Sequence, residues 1–127
     1  MSDQIPADRN YTKDHEWAQT TGPGGAVTRV GITAHAVEQL GDITLVTLDV
    51  KPGDLVTAGK VFGVIESVKT LSDLYAPMAG KIVAVNESLQ NAPELVNEDC
   101  YGKGWMIDIE PTESVQLMDA ADYGNII

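Results

Sequence analysis

The strongest constraint on this chain is its punctuation. Apolar runs reach only about strand length, and turn-forming residues separate them at short intervals. Lys51-Pro52-Gly53-Asp54 and Thr21-Gly22-Pro23-Gly24-Gly25 are the clearest breaks. Proline presets a turn dihedral, and glycine accepts the positive φ that many turns need. Between the breaks, residues 11–20, 26–32, 43–50, 61–67, 70–75, 80–86 and 105–109 read as strands. Alternation over 43–50 is imperfect, which predicts a well-buried strand there. Helix is scarce. Thr33 can cap a short helix through Leu40, with Gly41 as its stop. A helical turn is expected near Glu94-Leu95-Val96, within a polar connection from Asn91 to Gly104. Pro111-Thr112 is expected to open a C-terminal helical segment over 112–123, and residues 1–10 are expected to be flexible. The pattern predicts one domain over 1–127, all-β with short appended helices, built as a flattened β-barrel or sandwich.

Two runs echo one another. Residues 58–67 recur at 79–88, twenty-one positions on, with six of ten residues identical. A small sheet with quasi-two-fold symmetry accounts for this; chance similarity between two glycine-led strands is the competing reading. Lys69 lies on the connection between the copies. Val61-Phe62-Gly63-Val64-Ile65 runs into Glu66-Ser67-Val68-Lys69, and Leu71-Ser72-Asp73-Leu74-Tyr75 leaves it. Residues 61–75 therefore read as a β-hairpin with a lysine at its tip. A tip holds an amine far from the core, where a modifying enzyme and several partners can reach it. Glu66 and Asp73 flank the tip on opposite strands, as handles for a ligase or as partners for a cationic group carried on the lysine. Plain charge balance, worth roughly a few tenths of a kcal/mol, is the alternative.

Eight basic residues against nineteen acidic ones give a net charge of −11. That balance opposes non-specific binding to nucleic acid or to an anionic membrane; it fits partners with basic docking faces, and fits equally an acidic surface that serves only solubility. No run is long enough to span a membrane, and the start shows neither a secretory signal nor an Arg-rich transit peptide. One cysteine, Cys100, cannot form an internal disulfide, so a reducing, cytoplasmic setting is expected. Catalytic equipment is sparse. His15-Glu16-Trp17 has an acid/base reading with an aromatic lid, but an amphipathic strand with Trp17 packed inward fits it as well. His15, His35 and Cys100 have no metal-site spacing, and Gly22-Pro23-Gly24-Gly25 lacks the lysine and helix of a phosphate loop. Lys69 thus reads as an attachment point for a prosthetic group and not as a catalytic base.

Six blocks carry a family resemblance. They are Tyr11-Thr12-Lys13-Asp14-His15-Glu16-Trp17, Val30-Gly31-Ile32-Thr33, Gln39-Leu40-Gly41-Asp42-Ile43, Glu66-Ser67-Val68-Lys69, Ser72-Asp73-Leu74-Tyr75-Ala76-Pro77, and Leu95-Val96-Asn97 through Tyr101-Gly102 to Gly104-Trp105-Met106. From about Tyr11 to Tyr123 the chain resembles the H-protein family of the glycine cleavage system. The resemblance implies a lipoyl-binding domain of the lipoyl/biotinyl type, the barrel-sandwich hybrid, with lipoate in amide linkage to Lys69. It implies a carrier without turnover of its own. Such a carrier takes an aminomethyl group from a pyridoxal-phosphate glycine decarboxylase to a tetrahydrofolate-dependent aminomethyltransferase, and its arm is reoxidised by dihydrolipoamide dehydrogenase. Lipoate ligase or lipoyl transferase, with lipoyl synthase, would load it.

The resemblance also implies a surface cleft that shelters the loaded arm, matched here by Glu16 and Asp73, with His35 nearby and Trp17 as a wall. An ammonium in a partly dry cleft favours an anionic partner. Two positions depart from the family pattern: Cys100 stands where proline is common, and Thr70 where alanine is frequent. Three other readings share the modification site. A biotin carrier usually has methionines around its lysine, and a 2-oxo acid dehydrogenase lipoyl domain an acidic residue before it; here Val68 and Thr70 flank Lys69. A lipoyl-relay or regulatory protein serving other lipoate-dependent enzymes is the third.

Overall fold

Turn chemistry and strand pairing divide the chain into two antiparallel sheets in the computed structural model, which describes residues 5–21, 23–113 and 116–127. The larger sheet contains β1 (Asn10–Tyr11), β2 (Glu16–Thr21), β3 (Val27–Ile32), β5 (Leu55–Val56), β8 (Gly80–Val85) and β9 (Ile107–Pro111), in the order β1-β2-β3-β9-β8-β5. The smaller contains β4 (Ile43–Leu48), β6 (Val61–Ser67) and β7 (Leu71–Tyr75), in the order β4-β6-β7. Among the described residues four short α-helices are appended: α1 (Ala34–Leu40), α2 (Ser88–Asn91), α3 (Leu95–Glu98) and α4 (Ala120–Gly124). Among the described residues no helix is long and apolar enough to cross a membrane. The all-β sandwich with short helices is thus the observed architecture, and neither sheet closes on itself.

Alternation places the core. Val30, Ile82, Ile107 and Ile109 of the larger sheet and Val46, Phe62, Ile65 and Leu74 of the smaller are all buried in one cluster, closed by Leu40, Leu89 and Val96 from α1, α2 and α3. Each such side chain contributes about 1.5–3 kcal/mol when removed from water. A second cluster joins Tyr11, Trp17 and Tyr123, with the Tyr11 and Tyr123 rings stacked at 4.8 Å. Gly31 sits opposite Trp17 in the β2–β3 ladder. A Cβ there would stand 2.7 Å from the indole, so only glycine lets the two strands hold that ring.

α1 follows its sequence signals closely. The Thr33 side chain accepts from the Ala36 N–H (3.2 Å), and Gly41, at φ 81, returns its N–H to the Val37 carbonyl (2.9 Å). Two expectations need correction. The expected C-terminal helix over 112–123 is shorter. Pro111 pairs with Gly80 as the end of β9, the Thr112 N–H donates to the Ala79 carbonyl, and helix begins only at Ala120, where Asp119 caps the Asp122 N–H (2.8 Å); residues 114 and 115 of the expected segment lie outside the described residues. Residues 5–10 include the start of β1, and Arg9 lies across the Trp17 ring at 4.6 Å; residues 1–4 of the segment expected to be flexible fall outside the described ones. β4, expected to be well buried, is an edge strand with Leu45 43% exposed. A bulge between Ile43 and Leu45 resets the alternation and turns Leu45 to solvent. The echoing copies lie in different sheets, β6 in the smaller and β8 in the larger, each between two antiparallel neighbours.

Candidate functional site

The lysine at the tip is held from the residues around it. Ser67 N–H donates to the Thr70 carbonyl (2.8 Å), leaving Val68 and Lys69 as the central residues of the turn. The Ser67 hydroxyl accepts from the N–H groups of Lys69 (3.2 Å) and Thr70 (3.1 Å), the local bonding that favours serine in turns. Val68 N–H donates to the Asp42 carbonyl (3.0 Å), tying the tip to the loop after α1. Lys69 is exposed, as are Val68 and Leu71 on either side of it. The lysine stem passes over Gly41, where a Cβ would stand 3.2 Å from Lys69 Cε.

A cleft of about 250 Å³ opens beside this tip. Its walls come chiefly from the turn into β2 and that strand's first residue (Asp14, His15, Glu16), one flank of α1 (Ala36, Gln39, Leu40), and β7 from Leu71 to Leu74 with Thr70, with Ile32 of β3 and Ile65 of β6 completing them. Asp73, on the outer strand of the hairpin, therefore shares the cleft with Glu16, although the two lie 57 positions apart. Asp14 brings a third carboxylate. It carried no sequence signal of its own beyond standing before His15-Glu16.

Glu16 is 2% exposed. Its Oε2 accepts from the Tyr75 N–H at 2.7 Å, which satisfies a backbone group on the free edge of β7. Its Oε1 is buried and has no hydrogen-bond partner among the described residues. Burial pushes its pKa up to about 8 against the pull of the Tyr75 hydrogen bond, and the negative charge of Asp14 adds to the rise. An unsatisfied buried acceptor is uncommon in folded proteins.

His15 adopts φ 67 and lines the cleft, and its Nδ1 is 2.8 Å from the Tyr123 hydroxyl. Burial and the facing His35 imidazole hold its pKa below the ordinary value. His35 reaches the site only through this contact, with ring centroids 4.8 Å apart. Glu66 is half-buried in β6, opposite Leu71 in the hairpin and Leu45 in β4; it stands at the base of the tip, outside the cleft walls. Trp17 does not wall the cleft. Successive strand residues face opposite ways, so Glu16 turns to the cleft while Trp17 packs with Tyr11 and Tyr123 and donates to the Cys100 carbonyl (3.0 Å). Cys100 is a free, buried thiol pushed up to about 11 by burial and by Asp99.

Two antiparallel sheets with a lysine on a pinned hairpin tip, next to an acid-lined cleft, have the architecture of a domain of the lipoyl/biotinyl type. Comparison with known proteins narrows the class. The family model described as glycine cleavage H-protein matches residues 9–127. A glycine cleavage system H protein of Myxococcus xanthus is 51% identical over 126 residues, covering 97% of this chain and 95% of its own. A probable glycine cleavage system H protein of Natronomonas pharaonis is 48% identical, covering 100% of this chain and 92% of its own. The crystal structure of a glycine cleavage system H protein from Mycobacterium marinum superposes with a TM-score of 0.86 at 45% identity, covering 95% of this chain and 97% of that one. The chain belongs to the glycine cleavage H-protein family, the lipoyl carriers of the glycine cleavage system.

Proposed function

We propose that Lys69 carries lipoate in amide linkage, and that the cleft beside it shelters the cationic end of the loaded arm. The observation that carries this reading is Glu16 Oε1, a buried acceptor without a hydrogen-bond partner among the described residues, in the wall of a cleft that borders the lysine's own turn. An ammonium entering the cleft would give that oxygen its missing donor and favour the carboxylate form. Asp14 and Asp73 add negative charge around the same space. When bound, lipoate would supply a dithiolane disulfide that can open by reduction, one sulfur taking up a one-carbon unit and the other becoming a thiol.

The chain's own residues do the remaining work. Ser67 and Asp42 fix the tip that presents Lys69. Glu16, Asp14 and Asp73 would favour the protonated form of an amine carried on the arm, with α1 and β7 forming the flanks of the space around it. Tethering gives each partner a high effective concentration of the cargo without release into bulk water. The partners in this reading are a pyridoxal-phosphate glycine decarboxylase, a tetrahydrofolate-dependent aminomethyltransferase and dihydrolipoamide dehydrogenase. Lipoate ligase or lipoyl transferase, with lipoyl synthase, installs the arm. The net charge of −11 favours basic docking faces on them. The proposal includes a cytoplasmic location, in keeping with a free Cys100. Chemistry on the cargo belongs to the partner enzymes, and this chain is the carrier among them.

Intact-protein mass spectrometry with peptide mapping tests the reading, after incubation with lipoic acid, ATP and a lipoate ligase. One lipoyl increment on Lys69 is expected, with none on a folded Lys69→Arg protein, which should also support no glycine decarboxylation. An increment elsewhere, or an active Lys69→Arg protein, would overturn it.

A further inference from the structure

The loop between α1 and β4 is the seat of the hairpin tip, yet it has no regular structure to hold it. Besides the Gly41 N–H bond to the Val37 carbonyl, its backbone is held by one side chain, 54 residues from Ile43 and 56 from Gly41. Asn97, on α3, accepts from the Ile43 N–H through Oδ1 (2.8 Å) and donates to the Gly41 carbonyl through Nδ2 (2.9 Å). The two bonds straddle Asp42 and set the direction of its peptide groups. Asp42 in turn gives its carbonyl to the Val68 N–H (3.0 Å), and Gly41 lies beneath the Lys69 stem. A continuous run of contacts thus joins α3 to the tip. Asparagine suits this role, since it offers a donor and an acceptor on one short planar group; aspartate keeps only the acceptor, and alanine keeps neither.

We infer that Asn97 is a positioning residue for the modification of Lys69. By clasping the Gly41–Ile43 loop, it holds the tip in the one arrangement that an acylating enzyme accepts. The inference rests on Lys69 being the lipoylated residue. Its physical content is a population. With Asn97 in place the Asp42–Val68 bond is made most of the time; without it the loop samples other arrangements, and the enzyme's apparent affinity falls by the fraction that remains competent. The Ser67 bonds to Lys69 and Thr70 are local to the turn and do not depend on Asn97. The chemistry at Nζ is unchanged, so the effect belongs in KM and not in kcat.

The test is steady-state lipoylation of the full chain by a lipoate ligase, for the wild type, Asn97→Ala and Asn97→Asp, with amide hydrogen exchange on each. Both variants should show a higher KM at near-constant kcat, roughly tenfold for Asn97→Ala if about a tenth of the molecules stay competent. Faster exchange at the Val68 amide should accompany it, while core amides such as Ile65 and Ile82 keep their protection. Asn97→Asp leaves the Ile43 bond in place but sets a carboxylate oxygen against the Gly41 carbonyl, so it too should raise KM; it also serves if Asn97→Ala does not fold. Wild-type KM with wild-type Val68 protection in a folded variant would overturn the inference, as would a raised KM with Val68 protection intact. A wild-type protein that takes lipoate at another residue would instead overturn the assignment of Lys69.

Discussion

Replacing Glu16 by glutamine should make this protein more stable in mild alkali. The folded-state pKa rises to about 8 from an ordinary 4.5, and burial is the first cause. At about 1.4 kcal/mol per unit, that rise corresponds to roughly 5 kcal/mol of penalty on the folded carboxylate. The sign follows from proton counting. Below pH 4.5 both states hold the proton and nothing is lost. Between 4.5 and about 8 the folded protein holds a proton that the unfolded chain has released, so stability falls as pH rises through that window. Above it the whole penalty applies. Glutamine has nearly the same shape, keeps an acceptor for the Tyr75 N–H, and does not ionise. Urea unfolding at closely spaced pH values between about 5 and 9 measures the difference. The wild type should lose several kcal/mol relative to Glu16→Gln across the range, with the two close together at the acid end and equal m-values. Parallel curves would refute the reasoning, since they would mean that Glu16 ionises as freely folded as unfolded. The same variant should shorten the lifetime of the loaded arm in the cleft, because an amide cannot offer the ammonium a full negative charge.

Other consequences follow from the same geometry. Gly41→Ala should cost about 1–3 kcal/mol, the penalty for placing a side chain at φ 81, ψ −150, a region open essentially to glycine alone, measured by urea unfolding; the flexible Lys69 stem, 3.2 Å from the new methyl, can shift to accommodate it. Cys100, with its pKa near 11, should react with a thiol reagent at neutral pH much more slowly in the native protein than in urea. For the same reason the oxidised lipoyl protein should form no mixed disulfide with Cys100 at neutral pH; equal native and unfolded labelling rates would contradict the burial argument.

Much of the site's presentation was legible in the sequence because it is local. Ser67 to Thr70 make their own turn, and Thr33 and Gly41 bond to residues three or four positions away. The hairpin and its lysine follow from residues 61–75 taken alone. The C-terminal segment was harder to read. Proline at 111 resembles a helix start, but its neighbours Ala79 and Gly80 had already committed it to the sheet. The true start at Ala120 has an ordinary capping signal, Asp119, that a nearer and louder one obscured. β4 was misjudged because a bulge changes which side chains face inward without changing the residues themselves.

The amino-acid sequence alone determined the class of fold, the short capped helix and a lysine held away from the core, since each depends on dihedral preferences and hydrogen bonds within a few residues. The family resemblance pointed to Glu16 and Asp73 as cleft residues, but only tertiary structure decided their state and what else surrounds that lysine. Glu16 becomes a buried, half-satisfied carboxyl only when β7 covers it, and the cleft exists only where the 14–16 turn, α1 and β7 meet. Asn97 reaches the tip only through the loop after α1. Desolvation and long-range hydrogen bonding belong to the packed molecule, because the groups that exclude water from Glu16 and clasp the tip lie dozens of residues away along the chain.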